Sequence, residues 1–253
     1  VDGVAKACFV TNLVEGKERN KLSKKEAAWL AGIMFSAGAE TTTASISNFF
    51  IAMIHFPEVM HKAQREIDEV VGRDRAPTFA DLPHLPYIQA LVKELLRWRP
   101  AGPMGIPRKA AQDDWYEGYF IPKGATVISN IWDPAVYTDP EEFQPERFLD
   151  ETGMSNTSPT NMHSVGHSSF GFGRRSCVGA TFATQSLFIN FACLLWAFNI
   201  EKGYDDSGNE SLPSLTDVID AGVVVGPAPF KCKITIRCKD TTGPLLERLK
   251  TDS

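Results

Sequence analysis

The segment that most restricts how this chain can fold lies between Ser23 and Pro57. Ser23-Lys24-Lys25-Glu26 has the form of a capping box, in which the serine and glutamate side chains satisfy the first free amides of a helix. The pattern then stays helical to about Phe56, where Pro57 stops it, because a proline ring clashes with the preceding turn and offers no N–H. A helix over 24–56 is well above the usual globular length. It is apolar over most of its circumference, so it is expected to cross a protein interior. Its middle is unusual. Gly38 is followed by Thr41, Thr42, Thr43, Ser45 and Ser47, which are indifferent or poor helix formers, and a break or kink is expected there.

The remaining pattern supplies partners for that helix. A second helix is expected over 58–71, with Val59, Ala63, Ile67 and Val70 on one stripe and Gly72 at its end. A third is expected over 87–97, with Ile88, Leu91, Val92 and Leu95 as its apolar face. Tyr119-Phe120-Ile121 and Thr126-Val127-Ile128 flank Pro122-Lys123-Gly124 and read as a β-hairpin. Residues 133–169 are rich in Pro, Ser, Thr, Asn and Asp and read as irregular coil, functional or docked on a rigid body. An apolar helix follows over 178–198, then short strands such as 223–225 and 233–237, then a polar tail.

Composition excludes several classes. With 43% hydrophobic and 23% charged residues, disorder is not the default. A net charge of −5 argues against a nucleic-acid partner, which needs a dominant positive field. Lys21, Lys24 and Lys25 read as a solvated helix face. The cysteines at 8, 177, 193, 232 and 238 are odd in number and form no Cys-x-x-Cys pair, so reduced thiols in an intracellular compartment fit better than disulfides or structural zinc. No run of 18 apolar residues is visible, and 187–198, interrupted by Asn190, reads as a buried helix. No signal peptide stands at the N-terminus, and a chain that opens on Val1 is expected to lack its true start.

The strongest chemical signal is Phe170-Gly171-Phe172-Gly173-Arg174-Arg175-Ser176-Cys177-Val178-Gly179, which matches Phe-x-x-Gly-x-Arg-x-Cys-x-Gly. Alone, Cys177 would read as an inert buried thiol. The flanking matches change that, and the chain here resembles the cytochrome P450 family, whose cysteine-ligand loop has this form. The resemblance makes Cys177 the axial thiolate of haem iron. A thiolate needs a positive partner and amide donors, and iron with the turned backbone at Gly173 would supply them. Gly179 would let the following helix approach the porphyrin without a Cβ clash, Phe170 would keep the sulfur dry, and Arg175 would pair with a haem propionate.

Three further segments stand in the family's order. Glu94-Leu95-Leu96-Arg97 alone is weak, since a surface pair at i, i+3 would look the same. In the family this pair is buried and joined by an arginine from a Pro-Glu-Arg-Phe segment, here Arg147 in Pro145-Glu146-Arg147-Phe148, as a structural network. Ala37-Gly38-Ala39-Glu40-Thr41-Thr42 resembles the oxygen-activation groove, with Thr41 hydrogen-bonding the oxygen being activated and Glu40 feeding it protons; a helix contact made of small residues would look alike. Arg108, after Pro107, is either a second propionate contact or a solvent-facing arginine.

The resemblance implies a mainly α fold with small β-sheets, the C-terminal part of the cytochrome P450 fold, as one partial domain over 1–253. Its parts are the oxygen-activation helix (22–56), the Glu-x-x-Arg helix (87–97), the meander coil (133–169), the cysteine loop with its helix (170–198) and terminal strands with a tail (199–253). It implies haem b, dioxygen, a small lipophilic substrate and electrons from NADPH through a reductase of the NADPH-cytochrome P450 type. The source is expected to be eukaryotic and fungal-type. Location is expected at the endoplasmic reticulum membrane if a full-length form carries an N-terminal anchor, and otherwise in the cytoplasm. Retained substrate lining is expected at Ile33, Phe35, Ala37, 102–106 and near Gly222. Trp132 runs into Asp133 with fewer residues between than the family usually has, which could misplace Arg147. Half a haem pocket would expose apolar surface, so a truncated, non-catalytic remnant is the rival reading. A thiol-based redox protein is a further alternative, without a resolving cysteine nearby.

Overall fold

The capping box at Ser23 forms: the Ser23 amide donates to Glu26 Oε2 at 2.8 Å, and the Glu26 amide donates to the Ser23 hydroxyl at 3.2 Å. The computed structural model describes residues 8–131, 134–155 and 168–237. Its N-terminal elements are α1 (Phe9–Glu15), α2 (Lys17–Asn20) and the long α3 (Lys24–His55). The break expected in α3 does not occur. The hydroxyls of Thr41, Thr43 and Ser45 donate to the carbonyls of Ala37, Ala39 and Thr41 at 2.6, 2.8 and 2.9 Å. These side chains fold back on their own helix and leave its ladder intact. The expected passage through an interior is also only half true. Burial begins at Ala44, whereas Trp29, Ile33 and Phe35 are 65%, 59% and 79% exposed.

Phe56 leaves the helix (φ −123°, ψ 66°) because Pro57 follows, and Pro57 itself opens α4 (Pro57–Val70) at a position where no N–H is needed. Val59, Ala63 and Ile67 are buried, but Val70 is exposed and Val71 is buried instead, as the chain turns at Gly72 (φ +74°). A 3₁₀ turn (Phe79–His84) leads to α5 (Pro86–Trp98), whose Ile88, Leu91, Val92 and Leu95 are fully buried. The apolar helix α6 (Ala180–Ala197) buries Leu187, Phe188, Phe191, Ala192, Leu195 and Trp196 in its second half. The core lies where the C-terminal half of α3 meets α4, α5 and α6. Phe49 of α3 and Phe191 of α6 stack there with ring centroids 4.0 Å apart. By length and mean hydropathy α6 passes as a membrane-crossing helix, a test that a core helix also passes, and Thr181, Thr184, Gln185, Ser186 and Asn190 keep it from being a run of 18 apolar residues.

The strands depart further from expectation. Tyr119–Ile121 (β3) pairs not with 126–128 but with Asp114–Tyr116 (β2), through a two-residue turn at Glu117 and Gly118, both with positive φ (+50° and +85°). That turn matches the twist of the flanking strands. The Pro122-Lys123-Gly124 turn instead sends Thr126–Val127 (β4) to pair with Arg108–Lys109 (β1). After α6 the chain passes directly into β5 (Phe198–Tyr204), the middle strand of a sheet with β6 (Glu210–Ser211) and β9 (Cys232–Ile236). The strand expected at 223–225 begins only at Val225, where β8 (Val225–Pro227) pairs with β7 (Val218–Asp220) across a turn at Gly222 (φ +95°). The expected polar tail, Cys238 and the Trp132–Asp133 junction lie outside the described residues.

Candidate functional site

The cysteine loop is built by a few backbone bonds and two left-handed glycines. The Cys177 amide donates to the Phe170 carbonyl at 2.8 Å, and the Ser176 amide to the Gly173 carbonyl at 3.0 Å. Gly173 has φ +59°, so the tight turn expected there is present; Gly171, at φ +69°, makes a second one. The start of the loop hangs from α5, because the Ser169 hydroxyl donates to the Leu96 carbonyl at 2.5 Å. Phe170 is half-buried against the core, whereas Cys177 is exposed. Gly179 caps α6, and a Cβ there would meet the Cys177 sulfur at 3.8 Å, an ordinary contact. Arg175 is exposed and has no carboxylate within ion-pair distance among the described residues. Val178 and Phe182, 82% and 72% exposed, leave an apolar face beside the sulfur's loop. Arg108 is exposed, and its Nη2 donates to the Phe172 carbonyl at 3.1 Å.

Behind the loop, Glu94, Arg97 and Arg147 come together. Arg97 holds Glu94 through two hydrogen bonds, Nε to Oε2 at 2.6 Å and Nη2 to Oε1 at 2.8 Å, with both side chains fully buried. Arg147 Nε adds 3.1 Å to Glu94 Oε1, and the Gln144 amide 2.7 Å to the same oxygen. The coil around them has no regular ladder, so its carbonyls need other donors. The guanidinium groups supply them. Arg147 takes the carbonyls of Thr138, Asp139 and Glu142, Arg97 those of Pro140 and Glu142, and Trp98 Nε1 that of Glu141 at 2.7 Å. Trp98 and this run of carbonyls carried no signal in the sequence. Gly171 did, through the Gly-x-Gly spacing it shares with Gly173.

The groove residues sit on the exposed stretch of α3. Glu40 is exposed and accepts a long 3.5 Å bond from the Ser36 hydroxyl, and the Thr41 hydroxyl is turned into its own helix, as above. Of the expected substrate lining, Ile33, Phe35, Met104 and Ile106 are exposed. The segment after α5 is tied to the Gly222 turn, since the Val225 amide donates to the Ala101 carbonyl at 2.8 Å.

A helical body with small sheets, presenting one cysteine on a glycine-bounded loop ahead of an apolar helix, is the class of protein this geometry defines. The Cytochrome P450 family model matches residues 5–234, and the chain belongs to the cytochrome P450 family. It is 56% identical to cytochrome P450 monooxygenase 58 of Postia placenta over 96% of this chain and 47% of that protein. It is 45% identical to a cytochrome P450 monooxygenase of Armillaria gallica over 94% of this chain and 47% of that one. A zebra fish cytochrome P450 structure with abiraterone superposes with a TM-score of 0.76 at 31% identity, covering 94% of this chain and 56% of that chain. The fold is thus part of the P450 fold, and the chain spans about half the length of the relatives it matches.

Proposed function

We propose that this chain is the haem-bearing part of a monooxygenase that inserts one atom of dioxygen into a lipophilic organic substrate and releases the other as water, with electrons from NADPH through a reductase. The observation that carries the reading is an exposed thiol at Cys177 beside an uncovered apolar face, Val178 and Phe182. Such a face suits a flat apolar macrocycle, and the donor suits iron. Haem b, when bound, supplies the redox centre at which dioxygen is activated.

The chain's own residues have these roles in the proposal. Cys177 Sγ is the axial donor, and Phe170 screens it from the core side. Arg175, without a carboxylate among the described residues, is available to one propionate, and Arg108 to another. Gly171 and Gly173 give the loop the two left-handed turns that bring the Cys177 amide to the Phe170 carbonyl. Thr41, with its hydrogen on the Ala37 carbonyl, keeps oxygen lone pairs to hold a water, and Glu40 one residue before it is the proton source. Ile33, Phe35, Met104 and Ile106 favour an apolar substrate. A longer form with an apolar anchor would work at the endoplasmic reticulum membrane.

Reconstitution with haemin tests this. The reduced carbon monoxide adduct is expected to show the red-shifted Soret band of thiolate ligation, lost in Cys177→Ala. Persistence of that band in the variant, or refusal of haem by the intact chain, overturns the assignment. Substrate-dependent NADPH consumption with a reductase then tests turnover. Bound haem without it would leave a non-catalytic haem-binding remnant.

A further inference from the structure

We infer that Arg108 is a positioning residue that locks the peptide plane between Phe172 and Gly173, and so sets which way the Gly173 amide points in the cysteine loop. The consequence for sulfur ligation rests on the function proposed above; the lock itself does not. Arg108 Nη2 donates to the Phe172 carbonyl, and a Cβ at Gly171 would lie 3.7 Å from the same nitrogen, so the guanidinium lies against residues 171–172. In a trans peptide the C=O and N–H point in opposite directions. Holding the Phe172 oxygen therefore keeps the Gly173 N–H turned away from Arg108.

The backbone torsions of Phe172 and Gly173 do not make that choice by themselves. Flipping the plane changes ψ of Phe172, now 155°, against φ of Gly173, now +59°. Glycine accepts either sign of φ, so the flip is cheap at the residue the loop motif requires there. Two bonds that close the loop within the described residues act on neighbouring planes: Cys177 N–H takes the Phe170 carbonyl and Ser176 N–H the Gly173 carbonyl. Arg108 acts on the plane between them. It does so from a pinned strand, since β1 pairs with β4 and the Ala110 amide donates to the Ala125 carbonyl at 2.9 Å. A guanidinium has five N–H groups, so one bond to Phe172 leaves others for an anionic edge of a bound cofactor. The same residue can thus transmit occupancy of that edge to the loop.

The test compares Arg108→Met, Arg108→Lys and the neighbouring control Lys109→Met. In the haem-free chain, amide exchange of the 170–177 segment should rise about fivefold in Arg108→Met, the equivalent of one net hydrogen bond, and not in Lys109→Met. In the haemin-loaded chain, Arg108→Met should shift part of the reduced carbon monoxide adduct from the thiolate-type band to the shorter-wavelength band of a neutral thiol. Arg108→Lys should restore most of it. Unchanged exchange in Arg108→Met overturns the lock. Raised exchange with an unchanged band overturns its link to the sulfur. A wild-type chain lacking the red-shifted band speaks against the proposed function, and the exchange measurement still decides the lock.

Discussion

Asp81 is the side chain on which the turn between α4 and α5 hangs. It accepts from both Arg75 terminal nitrogens at 2.7 and 2.6 Å, and from the amide and hydroxyl of Thr78 at 2.8 and 3.0 Å. The Arg75 hydrogen bonds first, and the Thr78 donors after them, hold its carboxyl well below the usual carboxylate range despite burial. A depressed carboxyl contributes stability that is fully present above its unfolded value, about 4, and is lost as pH falls towards its folded value. Asp81→Asn is therefore expected to cost roughly 1–3 kcal/mol at neutral pH. Denaturant midpoints taken down the acid side should fall less steeply in the variant than in the parent; parallel curves would contradict the assignment. Gly203 matters for a different reason, close approach. A Cβ there would sit 2.6 Å from the Lys231 backbone, where β5 runs against the chain entering β9. Gly203→Ala should destabilise by roughly 1–3 kcal/mol in the same measurement, since backbone cannot move aside as a side-chain tip can.

At the level of elements, α5 does the most. It lies in the core through Ile88, Leu91, Val92 and Leu95, it holds the coil through Glu94, Arg97 and Trp98, and it carries the loop start through the Leu96 carbonyl. A buried ion cluster is weak evidence of net stability, but removing one member strands the rest. Glu94→Gln, which leaves Arg97 buried beside a neutral amide, should cost roughly 3–5 kcal/mol in equilibrium unfolding. Arg147→Met should cost less, because its side chain is 14% exposed and water can replace part of what it gives. Equal costs would mean that Arg147, not burial of the pair, sets the stability of the coil. The i, i+3 spacing of Glu94 and Arg97 on an amphipathic helix was readable in advance, but their burial was not: spacing says that two side chains can meet, and only tertiary packing, with the Tyr137 ring 5.2 Å from the Arg97 guanidinium, removes water.

For the molecule as a whole, the distribution of apolar surface is uneven. α3 is about 48 Å long at the usual helical rise, and its buried residues all lie in its C-terminal half. Trp29, Ile33 and Phe35 on the other half, with Ile106, Val178 and Phe182 elsewhere, leave large apolar side chains in solvent. Exposed apolar area of this kind drives association. The chain by itself should bind an apolar fluorescent dye and sediment heavier as concentration rises. Ile33→Ser with Phe35→Ser should reduce both without lowering helicity. An undiminished dye signal in that variant would place the sticky surface elsewhere.

What the sequence alone determined is what neighbours along the chain decide. The cap at Ser23, the stop at Pro57, the extents of α4, α5 and α6, the left-handed turn at Gly173 and the order of the motifs all follow from local sterics and from the period of apolar residues. Tertiary structure decided the rest. Tyr119–Ile121 chose β2 over the downstream strand because the Glu117–Gly118 turn has the better twist, a comparison between two turns that periodicity does not weigh. α3 kept its ladder because its hydroxyls found acceptors one turn back, and its buried residues all lie in the C-terminal half, which joins the core. Arg108 found the Phe172 carbonyl across 64 residues of chain, and no local pattern encodes a contact whose two halves are brought together only by the fold.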